Sequence, residues 1–288
     1  MRRGILVSLM AAMAAVVAVA AAPPAWADEW SKTYEVSGRA NLHVTTDDGN
    51  VTVVAADQKQ VDARVVTEGL KIGPHDVRIE ESQNGDQITL NLRHSPWNFG
   101  MFGGGHKSVR VELRVPRDLD FDVHTGDGNV SAQAASGRLR MDTGDGNITA
   151  DGLRGNVSLH TGDGNIQGNN LDGAIRVDTG DGHVTVRGRF DALELRSGDG
   201  NVEAEALAGS KIGSPWVLNS GDGHINLRVA GDLRANLEAH TGDGSITLDV
   251  PISVEGSLSD SYIRGKLNGG GGDLKITTGD GSIHIEKA

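Results

Sequence analysis

The chain has no cysteine among its 288 residues. That excludes disulfides, thiolate chemistry, cysteine metal ligands and a lipid-bearing cysteine. Stability must therefore come from backbone pairing and core burial alone. Aromatic residues are only 3% of the chain, so a core built from it is thin and made of smaller side chains. Helical periodicity is missing outside an N-terminal apolar run. Basic residues are outnumbered, 27 Lys and Arg against 39 Asp and Glu. Nucleic acids and anionic membranes are recognised by clustered cations, so neither is an expected partner. The acidic balance suits cation binding or plain solubility.

What is present begins with Arg2 and Arg3, the apolar run Gly4 to Ala22, Pro23, Pro24 and Ala25-Trp26-Ala27. A short basic region, an alanine-rich core and an A-x-A site before Asp28 mark residues 1–27 as a secretory signal peptide. The competing reading is a membrane-spanning helix; the small residues and the A-x-A favour cleavage. Cleavage would leave 25 basic and 39 acidic residues, a net charge near −14, and no membrane span. The expected location is the periplasm, the cell surface or the medium.

Glycine supplies 41 residues, about twice its ordinary share. It clusters in a repeat, Thr125-Gly126-Asp127-Gly128-Asn129-Val130, whose first five copies begin 18 residues apart at Gly126, Gly144, Gly162, Gly180 and Gly198. Further copies start at Ser220, Thr241 and Thr278, and a degenerate one at Thr46. Between corners the residues alternate: Leu139, Met141 and Thr143 point one way, Arg140 and Asp142 the other. Strict alternation over short runs bounded by glycine turns means strands.

Two all-β architectures fit. One is a parallel β-solenoid, each 18-residue coil holding two short strands. The other is an antiparallel meander of hairpins, since Asp-Gly also makes hairpin turns. The solenoid is favoured because a one-sided meander leaves its apolar face uncovered, whereas coils fold two apolar faces together and stack into a continuous core. Stacking at about 4.8 Å sets like residues above one another. The Thr or Ser before each corner would form an inward hydroxyl ladder, and the Asn, His or Ser after it an outward one. Residues 28–116 read as an irregular β region continuous with the solenoid, containing a hairpin at Asn84-Gly85, and residues 117–288 as the repeat. The stretch from Pro251 to Asp273 reads as an extra coil without the motif, or a loop. Trp216 is expected in the core.

Several residue sets could carry chemistry. Asp127, Asp145, Asp163, Asp181 and Asp199 would stack near one another, and calcium between coils would relieve their repulsion. The favoured alternative is a turn role, with each Asp capping backbone N–H groups and the flanking glycines supplying positive φ. An outward column, His124, Asp142, His160, Asp178, Arg196, Asn219 and His240, offers alternating zinc ligands or an ordinary solvated face. Parallel β-helices also host carbohydrate-active enzymes, but every coil here offers an acid and none is singled out. No nucleophile-elbow, zinc-protease or phosphate-loop motif occurs, so no catalytic residue is assigned. Trp97, Phe99 and Phe102, with Met101, form an aromatic loop that either covers the end of the core or contacts a partner.

At Val115-Pro116, Phe121-Asp122-Val123, the T-G-D-G-N-[IV] runs, Asp249-Val250-Pro251 and Gly265 to Gly270, the chain resembles the bacterial "putative adhesin" β-strand-repeat family, which has no established function. The resemblance implies a β-solenoid fold and an envelope location, and no catalytic residues. The function expected is therefore non-catalytic: structural or adhesive recognition through repeated polar ladders, directed at an envelope protein or a surface glycan. A periplasmic envelope-stress or scaffold role is the first alternative, and a carbohydrate-active enzyme the second.

Overall fold

The computed structural model describes residues 27–94, 107–254 and 259–288. The segment read as a signal peptide, except Ala27, and the loop residues Trp97, Phe99 and Phe102 lie outside the described residues. The N-terminal strands are β1 (Ala27–Glu35), β2 (Ala40–Thr46), β3 (Asn50–Ala56), β4 (Gln60–Glu68), β5 (Val77–Asn84), β6 (Gln87–His94) and β7 (Ser108–Pro116). The regular repeats form β8 (Leu119–Thr125), β9 (Val130–Gln133), β10 (Ser136–Thr143), β11 (Ile148–Asp151), β12 (Arg154–Thr161), β13 (Ile166–Thr179), β14 (Val184–Ser197) and β15 (Val202–Ala206). Then come β16 (Trp216–Ser220), β17 (Ile225–Val229), β18 (Ala235–Thr241), β19 (Ile246–Asp249), β20 (Ile252–Val254), β21 (Tyr262–Leu267), β22 (Gly272–Thr278) and β23 (Ile283–Lys287).

The architecture is all-β, with these 23 strands in one mostly parallel sheet. Strands before the corners stack in one file and strands after them in a second. Leu139 sits opposite Val157 and Phe121, and Ile148 opposite Val130 and Ile166, so each regular pairing is parallel and offset by one repeat. The long strands β13 and β14 pass through both files. Among the described residues, antiparallel strand pairs lie toward the ends of the stack, at β1–β4, β4–β7, β5–β6, β18–β21 and β20–β21. The hairpin at Asn84-Gly85 forms as read, with Gly85 at φ +60°.

Spatial order departs from chain order twice. In the first file β2 lies between β6 and β8, and β22 lies between β16 and β18. In the second, β3 lies between β7 and β9, and β23 between β17 and β19. The first and last copies of the motif are therefore interior coils. The stretch from Pro251 to Asp273 is neither an extra motif-free coil nor a plain loop. Its described residues supply β20 and β21; β21 runs antiparallel against β18, and β20 pairs antiparallel with β21 at the outer side of the first file.

The inward residues of both files make one continuous core, dominated by Val, Ile, Leu and Ala. Trp216 is fully buried and meets Phe190 edge-on at 6.1 Å. Alternation puts every second residue in this core because successive strand side chains point to opposite faces.

Candidate functional site

Each corner is built from a hydroxyl and two glycines. Thr143 Oγ1 donates to the Gly128 carbonyl of the neighbouring coil at 2.8 Å and accepts from the Gly146 N–H of its own coil at 3.3 Å. Thr161 repeats this with Gly146 and Gly164, and Ser197 and Ser220 do so with serine hydroxyls. Thr278 bonds the Gly223 carbonyl, and Thr241 the Gly281 carbonyl, following spatial rather than chain order. These hydroxyls are buried. They form the inward ladder read from the sequence.

The turn role expected of the aspartates needs correction. Among the described residues, Asp127, Asp145, Asp163, Asp181 and Asp199 are exposed at the corners, and no hydrogen bond or ion pair is formed by their side chains. The hydroxyl one position before the first glycine does the capping instead. The glycines also serve differently from expectation. None of the corner glycines has a positive φ. A Cβ on Gly144 would lie 2.7 Å from the Gly126 carbonyl oxygen, and one on Gly146 would press still closer on the carbonyl of Gly128. Glycine is required here because neighbouring corners stack backbone on backbone.

The outward ladder after the corner is continuous. The backbone N–H of Asn147 donates to Asn129 Oδ1 at 2.9 Å, that of Asn165 to Asn147 Oδ1 at 2.9 Å, and that of His183 to Asn165 Oδ1 at 2.8 Å. Asn201 and Ser282 then donate to Nδ1 of His183 and His224, so the ring hydrogen of each histidine is on Nε2. The column before the corner pairs rather than clusters. His124 Nδ1 is 3.2 Å from Asp142 Oδ1, and His160 Nδ1 is 3.6 Å from Asp178 Oδ1. Among the described residues, no group of three or more His, Asp or Glu side chains is arranged to hold a metal ion.

Where surroundings shift a carboxylate, they shift it down. Asp120 is lowered first by the Arg138 backbone N–H and then by Arg39, and Asp86 by the backbone N–H groups of Ser37 and Gly38. Arg64 lowers Glu29, and Arg228 lowers Glu286. Tyr34 moves up, through burial first and then the charge of Glu81.

One polar cluster escaped sequence reasoning. On the outer face of the first file, Lys275 on β22, Glu238 on β18 and Arg264 on β21 stand in cross-strand register. On the outer faces several opposite charges on neighbouring strands close into pairs, such as Arg176–Glu194 at 2.7 Å, Arg187–Glu205 at 3.0 Å and Arg228–Glu286 at 2.7 Å. Here no ion pair forms, and the three exposed side chains line a cleft of about 440 Å³ walled by Pro215. Beside it lie Tyr262 and His240, edge to face at 6.2 Å. No local signal could reveal this site, because its residues come from three strands whose adjacency depends on the out-of-order placement of β22.

The fold and its corners define a class: mostly parallel all-β repeat proteins with stacked glycine turns. The chain belongs to the toastrack DUF4097 family, whose model matches residues 39–286. Solved structures of low sequence identity resemble it. A "putative lipid binding protein" from Parabacteroides distasonis is 14% identical over 90% of this chain and 97% of its own, with a TM-score of 0.42. A "putative adhesin" from Bacteroides fragilis is 13% identical over 89% and 96%, with a TM-score of 0.36. A "putative cell adhesion protein" from Clostridium sporogenes is 12% identical over 90% and 99%, with a TM-score of 0.30. No curated protein matches the chain.

Proposed function

We propose that the chain is an exported, non-catalytic binding protein of the cell envelope or extracellular space, recognising surfaces through repeated polar columns on a parallel β-solenoid. The observation that carries this is the outward ladder. An asparagine carboxamide returns on three successive coils, at Asn129, Asn147 and Asn165, and the imidazole of His183 takes the same place on the next. A column of like groups at strand spacing suits a ligand that is itself repetitive, because many weak contacts then act together. The solenoid reading is supported by the one-repeat register of both files and by their shared core. Export rests on the N-terminal segment and belongs to the same proposal.

The test is co-sedimentation of the purified chain with intact bacterial cells and with isolated envelopes, alongside fractionation of a strain producing the full-length protein. Export predicts a mature N-terminus at Asp28 in the periplasmic, surface or culture fraction. Surface recognition predicts saturable co-sedimentation. A chain that remains cytoplasmic and unprocessed, or that never sediments with cells or envelopes, overturns the reading.

A further inference from the structure

We propose that the cleft between Pro215 and the Lys275–Glu238–Arg264 row is a binding site for an acidic sugar, a uronate or similarly carboxylated saccharide unit within a longer glycan. This rests on the surface-recognition reading above and names its ligand class. Three observations converge. First, the row holds two cations and one carboxylate in cross-strand register that close no ion pair, and all three exposed side chains line one concavity. Unpaired charge around a concavity provides strong hydrogen-bonding groups that a ligand can engage. Second, the full lining carries three cations, Arg264, Lys266 and Lys275, against two carboxylates, Glu238 and Asp273, although the whole chain has a net charge of −12, so the local charge complements an anion.

Third, the surroundings discriminate among anions. Asn236 and Asp273 extend the polar lining, and Val217 adds a small apolar patch. Tyr262 and His240 present aromatic surface at the margin. A saccharide carries carboxylate, hydroxyl and apolar C–H faces within one ring, matching Arg264 and Lys275, then Glu238 and Asn236, then Val217 and Tyr262. An anionic lipid would need an apolar surface for its chains, which this row of charges lacks. A peptide adding as a strand would need a free sheet edge, whereas β18, β21 and β22 all have strand neighbours on both sides.

The experiment titrates the folded chain by calorimetry with a panel of oligo-uronates, their methyl esters, the matching neutral oligosaccharides, and vesicles of phosphatidylglycerol. The expected result is binding to at least one oligo-uronate, at least tenfold weaker binding of its methyl ester, and weakening as salt is raised. Arg264→Gln combined with Lys275→Gln should reduce that affinity at least tenfold, with the melting temperature unchanged because neither side chain holds an internal partner. Equal binding of ester and acid, retained affinity in the double variant, binding to vesicles alone, or no binding across the panel each overturns the proposal. Envelope co-sedimentation separates this from the broader reading. If the parent sediments with envelopes but binds no oligo-uronate, the cleft is wrong and surface recognition stands. If the parent does not sediment, both fall.

Discussion

Replacing Thr161 with valine tests the physical account of the corners most directly. The two side chains have nearly the same shape, so packing is kept and only the hydroxyl is lost. Thr161 is fully buried. Its Oγ1 donates to the Gly146 carbonyl at 2.8 Å and accepts from the Gly164 N–H at 3.2 Å. Valine would strand both groups inside the stack, and each buried group left without a partner costs about 1–3 kcal/mol. The methyl that replaces the hydroxyl offsets up to about 0.8 kcal/mol. The expected loss is roughly 2–4 kcal/mol. At about 2–4 °C per kcal/mol for a chain of this size, the melting temperature should fall by roughly 5–15 °C. Thr161→Ser is the control: it keeps the hydroxyl, as Ser197 and Ser220 do naturally, and should cost only about 1 kcal/mol for the lost methyl. Thermal and urea unfolding followed by circular dichroism would measure both. A valine variant as stable as the parent, or more stable than the serine variant, would refute the claim that the hydroxyl ladder holds the coils together.

Gly146→Ala should destabilise by about 3 kcal/mol or more, because its Cβ meets the backbone of the adjacent corner; Gly85→Ala, which meets nothing, should cost only about 1–2 kcal/mol for its left-handed conformation, and comparable unfolding midpoints for the two would contradict the close-approach account. Asp145→Asn should change stability by less than about 0.5 kcal/mol, as expected for an exposed side chain without a partner, and millimolar calcium should leave the melting temperature of the parent unchanged; a calcium-dependent rise would revive a cation site at the corners. Asp86 and Asp120 have folded pKa values depressed below their unfolded ones. Their contribution is therefore present above the unfolded value near 3.9 and lost as pH falls through the folded values. Asp120→Asn should lower stability at neutral pH and flatten its decline in acid, and an unchanged acid limb would reject this. Trp216→Ala should cost about 3–5 kcal/mol by emptying the space beside Phe190, read from the same unfolding curves.

Much of the fold was legible because its information is local. Leu139, Met141 and Thr143 alternate with Arg140 and Asp142, and that alone separates core from surface. Once copies stack at strand spacing, the 18-residue period makes like residues neighbours, so both ladders follow from the repeat itself. The roles within the corner were less legible. Thr, Gly and Asp are all turn residues, and only the placement of the neighbouring coil shows that Thr143 caps the turn, that Gly146 yields space to Gly128, and that Asp145 does neither.

The sequence by itself determined that this chain is all-β, where its strands turn, and which side chains enter a narrow core, since these depend on alternation and spacing within one repeat. Only the tertiary structure decided the order of the coils. Every copy presents the same inward profile of Val or Ile, Thr or Ser, and Gly, so any two copies can stack, and no local pattern tells Thr278 to lie between Ser220 and Thr241. That choice belongs to the long connection through β20 and β21. It also brings Lys275 beside Glu238 and Arg264, making a cleft of residues that are distant in the chain.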